Sequence, residues 1–274
     1  MPIPHTLRAP ADGAGRPLAE EVPVAIVCNA VSQAVLMATP DDLEDFATGF
    51  LIGEGLVGSP GEIRDIETVI HGTGIEVRVW LAPQAAAASA ERRRNGLAPA
   101  GCGLCGIDSL DQAHRDLPRM RDTGLRIAAA DIAGAPDALR RFQPLHDSTR
   151  AVHAAGFFMP GEGIVLGRED VGRHNALDKM IGGLARSGRS PAAGAAVMTS
   201  RVSLDLVQKC AVAGIPMLIS VSAPTSTAVR AASDCGLTLV CNVRHGSLDI
   251  LAHGTRVEDV APTYRISRNP QMGQ

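Results

Sequence analysis

The sequence predicts an α/β protein in two parts: a smaller α+β domain over residues 17–110 and a larger α/β domain over residues 125–257. Two patterns carry this. Residues 21–82 combine alternating β-branched stretches with one helical stretch, whereas from about residue 130 short, continuous apolar runs alternate with segments of helical spacing. The second pattern is that of helices covering a largely parallel or mixed sheet. A chain of 274 residues can bury one large core or two smaller ones.

In the first part, Val22, Val24, Ile26 and Val27 and then Val31 and Val35 alternate about a turn near Asn29, which reads as a hairpin. Pro40, Asp41 and Asp42 open a helix in which Leu43, Phe46, Ala47, Phe50 and Leu51 recur at helical spacing, and the glycines 53, 55 and 58 close it. Residues 63–69 and 74–81 read as two further strands joined at His71-Gly72. Residues 82–99 change to an alanine run and a basic cluster at Glu91-Arg-Arg-Arg-Asn95, a surface connection or part of a helix.

In the second part, residues 107–126 read as irregular, residues 132–142 as a helix, and residues 146–158 as a helix entering a strand. Residues 163–167 form an apolar strand and 175–184 a helix. Strand 194–199, helix 203–213, strand 217–221, helix 225–234 and strand 237–241 follow, with Gly214 and Gly236 as helix stops. Residues beyond Thr255 read as a tail.

Composition excludes several classes. Aromatic residues make up 3% of the chain and the formal net charge is -3, so there is neither a stacking platform for single-stranded nucleic acid nor a global attraction to polyanions. No window reads as a membrane-spanning helix, and the N-terminal residues lack the basic, apolar and small-residue succession of a secretory signal, so a cytoplasmic protein is expected, with no nucleic acid and no membrane among its partners. Six cysteines in such a chain do not read as a disulfide framework, and Cys28 and Cys210 sit among apolar residues as small core side chains.

The remaining thiols include a pair set in Gly101-Cys-Gly-Leu-Cys-Gly106. Cys102 and Cys105 can meet at a metal, at each other, or at a transferred sulfur atom. A structural zinc needs four ligands, and no second C-x-x-C at finger spacing completes the set; no upstream H-x-E supports a zinc deaminase either. A dithiol redox pair normally opens a helix, whose N-terminus stabilises the thiolate, whereas glycines 101, 103 and 106 read as a loop. A loop suits a cysteine that takes sulfur from one partner and delivers it to another. The residue types permit that role and leave a thiol-disulfide oxidoreductase and a non-transferring chaperone as rivals.

The second concentration of chemistry is Arg168-Glu-Asp-Val-Gly-Arg-His-Asn-Ala-Leu-Asp-Lys179, at a strand-to-helix junction where open α/β sheets hold ligands. Arg173 and Lys179 can bind phosphate, His174 can donate a hydrogen bond or move a proton, and Asn175 can cap the following helix. Weaker candidates are Thr149 and His153, four apart on one helical face; Ser203, at the opening of a helix suited to an anion; Ser222 and Thr225, in a hydroxyl-rich strand-to-helix segment; and the loop Asn242-Val-Arg-His-Gly-Ser247. The run matches no phosphate-loop or dinucleotide fingerprint.

These segments resemble the formate dehydrogenase accessory sulfurtransferases, the FdhD family. The resemblance rests on C-G-L-C-G at 102–106, R-E-D-V-G-R-H-N-A-L-D-K at 168–179 and R-V-S-L-D-L-V-Q-K at 201–209, and continues through G-I-P at 214–216, S-A-P-T-S at 222–226 and G-L-T-L-V at 236–240. It implies a homodimeric sulfur carrier. Such a carrier receives persulfide sulfur from a cysteine desulfurase and passes it to the bis-molybdopterin guanine dinucleotide form of the molybdenum cofactor, before that cofactor enters formate dehydrogenase. It also implies that the larger domain is a three-layer, cytidine deaminase-like fold without a metal, that Cys102 carries the persulfide with Cys105 as companion, and that Cys241, Asn242, Val243, Arg244, His245 and Gly246 contact the guanine dinucleotide portion. Two stretches depart from the family. Thr149-Arg-Ala-Val-His-Ala154 stands where T-G-G-x-H-A is usual, and Asn242, His245 and the segment Ser247-Leu-Asp-Ile250 replace a richer run of glycines and aromatics.

Overall fold

The computed structural model describes residues 7–8, 15–94, 116–260 and 264–266. The cysteine pair at 102 and 105 lies outside these. In chain order the elements are β1 (Leu7–Arg8), β2 (Leu18–Ala19), β3 (Val22–Cys28), β4 (Val31–Ala38), α1 (Leu43–Gly53), β5 (Ile63–His71), β6 (Gly74–Leu81), α2 (Pro83–Arg94) and β7 (Ile127–Ala128). There follow α3 (Ala129–Leu139), α4 (Pro144–Thr149), β8 (His153–Met159), β9 (Gly163–Asp170), α5 (Arg173–Arg186), β10 (Ala195–Met198), α6 (Leu204–Val212) and β11 (Met217–Ser220). The last are α7 (Ser226–Cys235), β12 (Thr238–Arg244), β13 (Ser247–Ala252), β14 (Val257–Glu258) and β15 (Arg265–Ile266).

These elements form two compact units that are not continuous in sequence. The first comprises residues 1–116, 144–153 and 168–187, and the second comprises 117–143, 154–167 and 188–274. The expected division into 17–110 and 125–257 therefore misplaces two segments, α4 and the polar run with α5, which pack with the N-terminal elements.

In the first unit the expected hairpin forms: β3 and β4 pair antiparallel, and positive φ at Asn29 and Ala30 turns the chain between them. The sheet runs in the order β4-β3-β6-β5, with β3 and β6 parallel at its centre. Helix α1 buries every residue except Glu44, and α5 packs across it. The contact is close enough that a Cβ on Gly49 would lie 1.7 Å from the Asp178 carbonyl oxygen and one on Gly182 would lie 1.9 Å from that of Asp45. Only glycine permits that approach.

In the second unit a seven-stranded sheet runs β15-β13-β12-β11-β10-β8-β9. Its middle strands β10, β11 and β12 are parallel, and β8 and β13 flank them antiparallel, so the sheet is mixed. Strands β10 and β11 and the first four residues of β12 are buried, as continuous apolar runs require when both faces are covered. Ile132, Ala135 and Leu139 of α3 pack with Val197, Ile219, Val240 and Ile250 in the core.

Three sequence expectations fail locally. Residues 146–158 do run from a helix into a strand, but the helix is too short to carry both Thr149 and His153. Helix α4 ends at Thr149, Arg150 turns at φ 60°, and β8 begins at His153, so Thr149 and His153 do not share a helical face. The residues after 241 are not a loop after the last strand. Strand β12 continues to Arg244, His245 and Gly246 make a two-residue turn with φ of 51° and 74°, and β13 returns antiparallel, pairing Ser247 with Arg244. Nor is the stretch beyond Thr255 only a tail, since Val257–Glu258 pairs with Ile127–Ala128 and Arg265–Ile266 extends the large sheet.

Candidate functional site

In the first unit the polar run is organised by one buried carboxylate. Strand β9 ends at Asp170 and α5 begins at Arg173, and Gly172 rather than Asn175 occupies the N-cap position. Asp170 is fully buried and accepts hydrogen bonds from the backbone N–H of Thr39 at 3.0 Å, from that of Gly172 at 2.8 Å and from Asn175 Nδ2 at 2.9 Å. Lys179 Nζ lies 2.7 Å from Oδ2, the oxygen that also accepts from Thr39, and donates to the Thr39 carbonyl at 2.9 Å. The oxygens thus receive four donors, which is what a buried charge requires. Asn175 Nδ2 donates to the Met37 carbonyl as well.

This network changes the roles read from sequence. Lys179 has no exposed surface, and its ammonium is engaged by Asp170 and backbone oxygens, so it does not offer a phosphate contact. Asn175 is likewise buried and turned inward. Both hold the turn from which Arg173 and His174 project.

His153, Arg173 and His174 do come together, and His146, which the sequence reading passed over, joins them. Burial holds the His153 imidazole below its ordinary pKa, and the charges of Arg173, His146 and His174 act in the same direction. Arg173 Nε is buried and has no hydrogen-bond partner among the described residues. His146 Nδ1 lies 3.2 Å from the Val152 carbonyl, while the backbone N–H groups of Leu145 and His146 donate to Glu169 at 2.8 and 2.7 Å. Burial raises the Glu169 pKa against those two bonds. Thr149 is set apart from the cluster: its hydroxyl donates to the Leu145 carbonyl and accepts from Ala151 N–H, closing the end of α4. The result is a concentration of cationic or protonatable groups in the first unit. It can attract an anion, and an anion would in turn favour protonation of His153.

Flanking ion pairs tie β9 and α5 to α1 and the residue before it. Arg168 contacts Asp45 at 2.7 Å and Asp42 at 3.3 Å, Arg186 Nη1 reaches Asp45 at 2.7 Å, and Arg186 also pairs with Glu44. The first and last basic residues of 168–186 are therefore structural.

The second unit gathers its candidates at the carboxyl ends of the parallel strands β10, β11 and β12, the usual ligand position in such sheets. Ser203 is the N-cap residue of α6, and Thr225 is that of α7, where its hydroxyl accepts from Ala228 N–H at 3.2 Å. Ser220 Oγ donates to the Ser200 carbonyl and accepts from Ser222 N–H, which ties two strand ends together. The end of β12 lies against the same edge, since Asn242 N–H donates to the Ser222 carbonyl at 3.2 Å and Arg244 Nε to the Val221 carbonyl at 2.6 Å. Arg244, His245 and Gly246 are exposed, whereas Cys241 and Val243 are buried. Burial drives the Cys241 thiol well above its ordinary pKa, so it is an inert core group. Asn242, at φ 53° where the β12–β13 register shifts, donates from its side chain to Asp249 at 2.8 Å. Among the described residues no group of three or more His, Cys, Asp and Glu side chains is arranged to hold a metal ion.

Taken together, these features define a two-unit α/β protein with basic and hydroxyl side chains gathered in each unit, whose C-x-x-C falls in sequence between α2 and residue 116. The chain belongs to the FdhD/NarQ family, whose profile matches residues 19–258. It is 45% identical over 242 residues to the sulfur carrier protein FdhD of Agrobacterium fabrum, covering 88% of this chain and 89% of that one. The protein of the same name in Brucella abortus is 46% identical over 238 residues, covering 87% and 88%, and that of Bordetella bronchiseptica is 44% identical over 240 residues, covering 88% and 87%. The crystal structure of a putative formate dehydrogenase accessory protein from Desulfotalea psychrophila superposes with a TM-score of 0.67 at 27% identity, covering 88% of this chain and 90% of that one.

Proposed function

We propose that this protein is a sulfur carrier that serves formate dehydrogenase maturation. The observation that carries the reading is the intact Cys102-Gly-Leu-Cys105 pair in a member of a family whose relatives are named sulfur carriers. The finer steps are these. The Cys102 thiolate attacks the outer sulfur of a cysteine desulfurase persulfide, the donor's S–S bond breaks, and the desulfurase leaves as a thiolate. Delivery of that sulfur as sulfide takes two electrons. Cys105 supplies them by attacking the inner sulfur of Cys102, which closes a disulfide and releases hydrosulfide, and a cellular dithiol reductant reopens the pair.

The substrate in this reading is the bis-molybdopterin guanine dinucleotide cofactor. The exposed Arg244-His245-Gly246 turn and the Arg173, His153 and His174 cluster support it, because phosphates are matched by guanidinium and imidazolium donors. The homodimeric state, the cytoplasmic location and the three-layer, cytidine deaminase-like arrangement of the second unit belong to the same proposal.

Two experiments test it. Incubated with a cysteine desulfurase and cysteine, the wild-type chain should gain a reductant-labile mass of about 32 Da, one sulfur atom, and Cys102→Ala should not. Absence of the adduct on the wild type, or its persistence in the variant, removes Cys102 as the carrier. By calorimetry, Arg173→Ala should weaken guanine nucleotide binding by about 1.5–3 kcal/mol, the range for a charge-assisted hydrogen bond. An unchanged affinity assigns the phosphates to other residues.

A further inference from the structure

A cavity of about 320 Å³ opens in the second unit at the amino-terminal end of β12, the strand end opposite the Arg244-His245-Gly246 turn. It is bordered by Arg119, Met120 and Asp122, by the end of α7 at Cys235 and Gly236, and by His253 and Arg256. Its size falls in the range of small-molecule sites. None of these residues takes part in the sulfur-carrier reading above.

Arg256 is the unusual member. Only 6% of its surface is exposed, and no carboxylate among the described residues lies within ion-pair distance of it. Burial lowers the pKa of its guanidinium, the expected direction for a desolvated cation. Nη1 donates to the Gly236 carbonyl at 2.9 Å and to Thr238 Oγ1 at 3.0 Å, and Nη2 reaches the Arg121 carbonyl at 3.4 Å. Nε has no partner among the described residues. Three of the five N–H bonds are thus spent on the end of α7 and its neighbours. Nε is closed to solvent, so the second Nη2–H is the donor left for a ligand, and a buried guanidinium with no carboxylate beside it among the described residues favours an oxyanion there.

The nearby acids do not neutralise this group. Asp122 is exposed and committed to Arg126, at 3.2 Å, and to Gly124 N–H, which together hold its pKa down to about 2. Asp234 and Arg119 are exposed at the rim. His253 Nε2 is 2.7 Å from the Ser233 carbonyl, so that nitrogen carries its proton, and the Cys235 thiol points to the Ala232 carbonyl. Burial also raises the Cys235 thiol pKa, so the cavity offers no thiolate nucleophile.

We propose that this cavity is a reversible binding site for a small molecule bearing one oxyanion, with Arg256 as the buried anchor and Arg119 as the guiding charge at the mouth. A carboxylic acid and a phosphate ester share the required chemistry. Met120 supplies the reporter, because its backbone N–H is fixed to the Cys235 carbonyl at 2.7 Å and its side chain borders the cavity. The test is to label the methionine methyl groups of the full chain with carbon-13 and titrate inorganic phosphate and, separately, propionate at constant ionic strength. The Met120 resonance, assigned with Met120→Leu, should shift saturably with at least one probe below about 10 mM, and selectivity between the two identifies the anion class. Arg256→Gln should abolish the shift. Because Arg256 also holds the end of α7, Arg119→Glu serves as the second variant and should raise the midpoint at least about tenfold in a chain that melts like the wild type. No saturable shift with either probe, or a midpoint unchanged in Arg119→Glu, overturns the site. Both outcomes are independent of persulfide formation at Cys102.

Discussion

Arg150 illustrates how one residue records a departure from a family pattern. It stands at the first glycine of the usual T-G-G-x-H-A and adopts φ 60°, the left-handed region in which a Cβ costs about 1–2 kcal/mol. Its side chain recovers little, since the pair with Asp147 spans 3.6 Å and both members are about half exposed. Glycine would relieve the strain and lose part of that gain to its greater freedom in the unfolded chain. Arg150→Gly should therefore stabilise the protein by about 0.5–1 kcal/mol in urea unfolding, and a loss of stability would show that the arginine side chain does more than its contacts indicate. His153, three residues on, sets a pH dependence. Its folded pKa is lowered by burial and by Arg173, His146 and His174, so the unfolded chain binds the proton more readily. Its contribution to stability is present above about pH 6.5, the ordinary histidine value, and is lost as the pH falls through the lower folded value. Unfolding free energies measured from pH 8 to pH 5 should decline less steeply in His153→Gln than in the wild type; parallel curves would place the titration elsewhere.

Elements were legible to the extent that their contacts are local. The hairpin β3–β4, helix α1, strands β5 and β6 and the alternation from β10 to β12 follow from apolar spacing and from the glycines that end helices. The β12–β13 hairpin was readable too, because Leu239, Cys241 and Val243 and then Leu248, Ile250 and Ala252 alternate about His245-Gly246, a turn dipeptide. Its polar residues Asn242, Arg244 and His245 mask that period, because the same side chains also fit a ligand-binding loop. The α1–α5 crossing could not be read, since Gly49 and Gly182 acquire meaning only when two helices 120 residues apart in sequence touch. A methyl group at either would sit inside the other helix's backbone, so Gly49→Ala or Gly182→Ala should destabilise by at least about 1–3 kcal/mol, the range for overpacking. The same separation hid the true role of Lys179. Lys179→Met should cost about 3–5 kcal/mol by leaving the Asp170 carboxylate without its cation. If thermal unfolding of Lys179→Met matches the wild type, the pair is not the organiser of the β9–α5 turn.

At the scale of the whole molecule, the chain enters the first unit three times, through residues 1–116, 144–153 and 168–187. A reading that moves along the sequence sees a domain boundary between residues 110 and 125, and it cannot see a later helix returning to an earlier core. The return is essential to α1. Phe46, Phe50 and Leu51 are fully or almost fully buried on a helix that touches β5 and β6 but packs most extensively on α5, and α5 is absent from any fragment that stops at the apparent boundary. Exposing side chains of this kind costs about 1.5–3 kcal/mol each, a large share of the stability available to a domain of that size. A chain ending at residue 125 should accordingly show no cooperative thermal transition by circular dichroism and should bind a hydrophobic dye, although it contains the entire four-stranded sheet. Addition of a peptide spanning residues 168–187 should restore part of the signal, because it supplies α5, Asp170 and Lys179 together. A sharp, dye-free transition in the fragment alone would mean that the N-terminal elements close their core without α5.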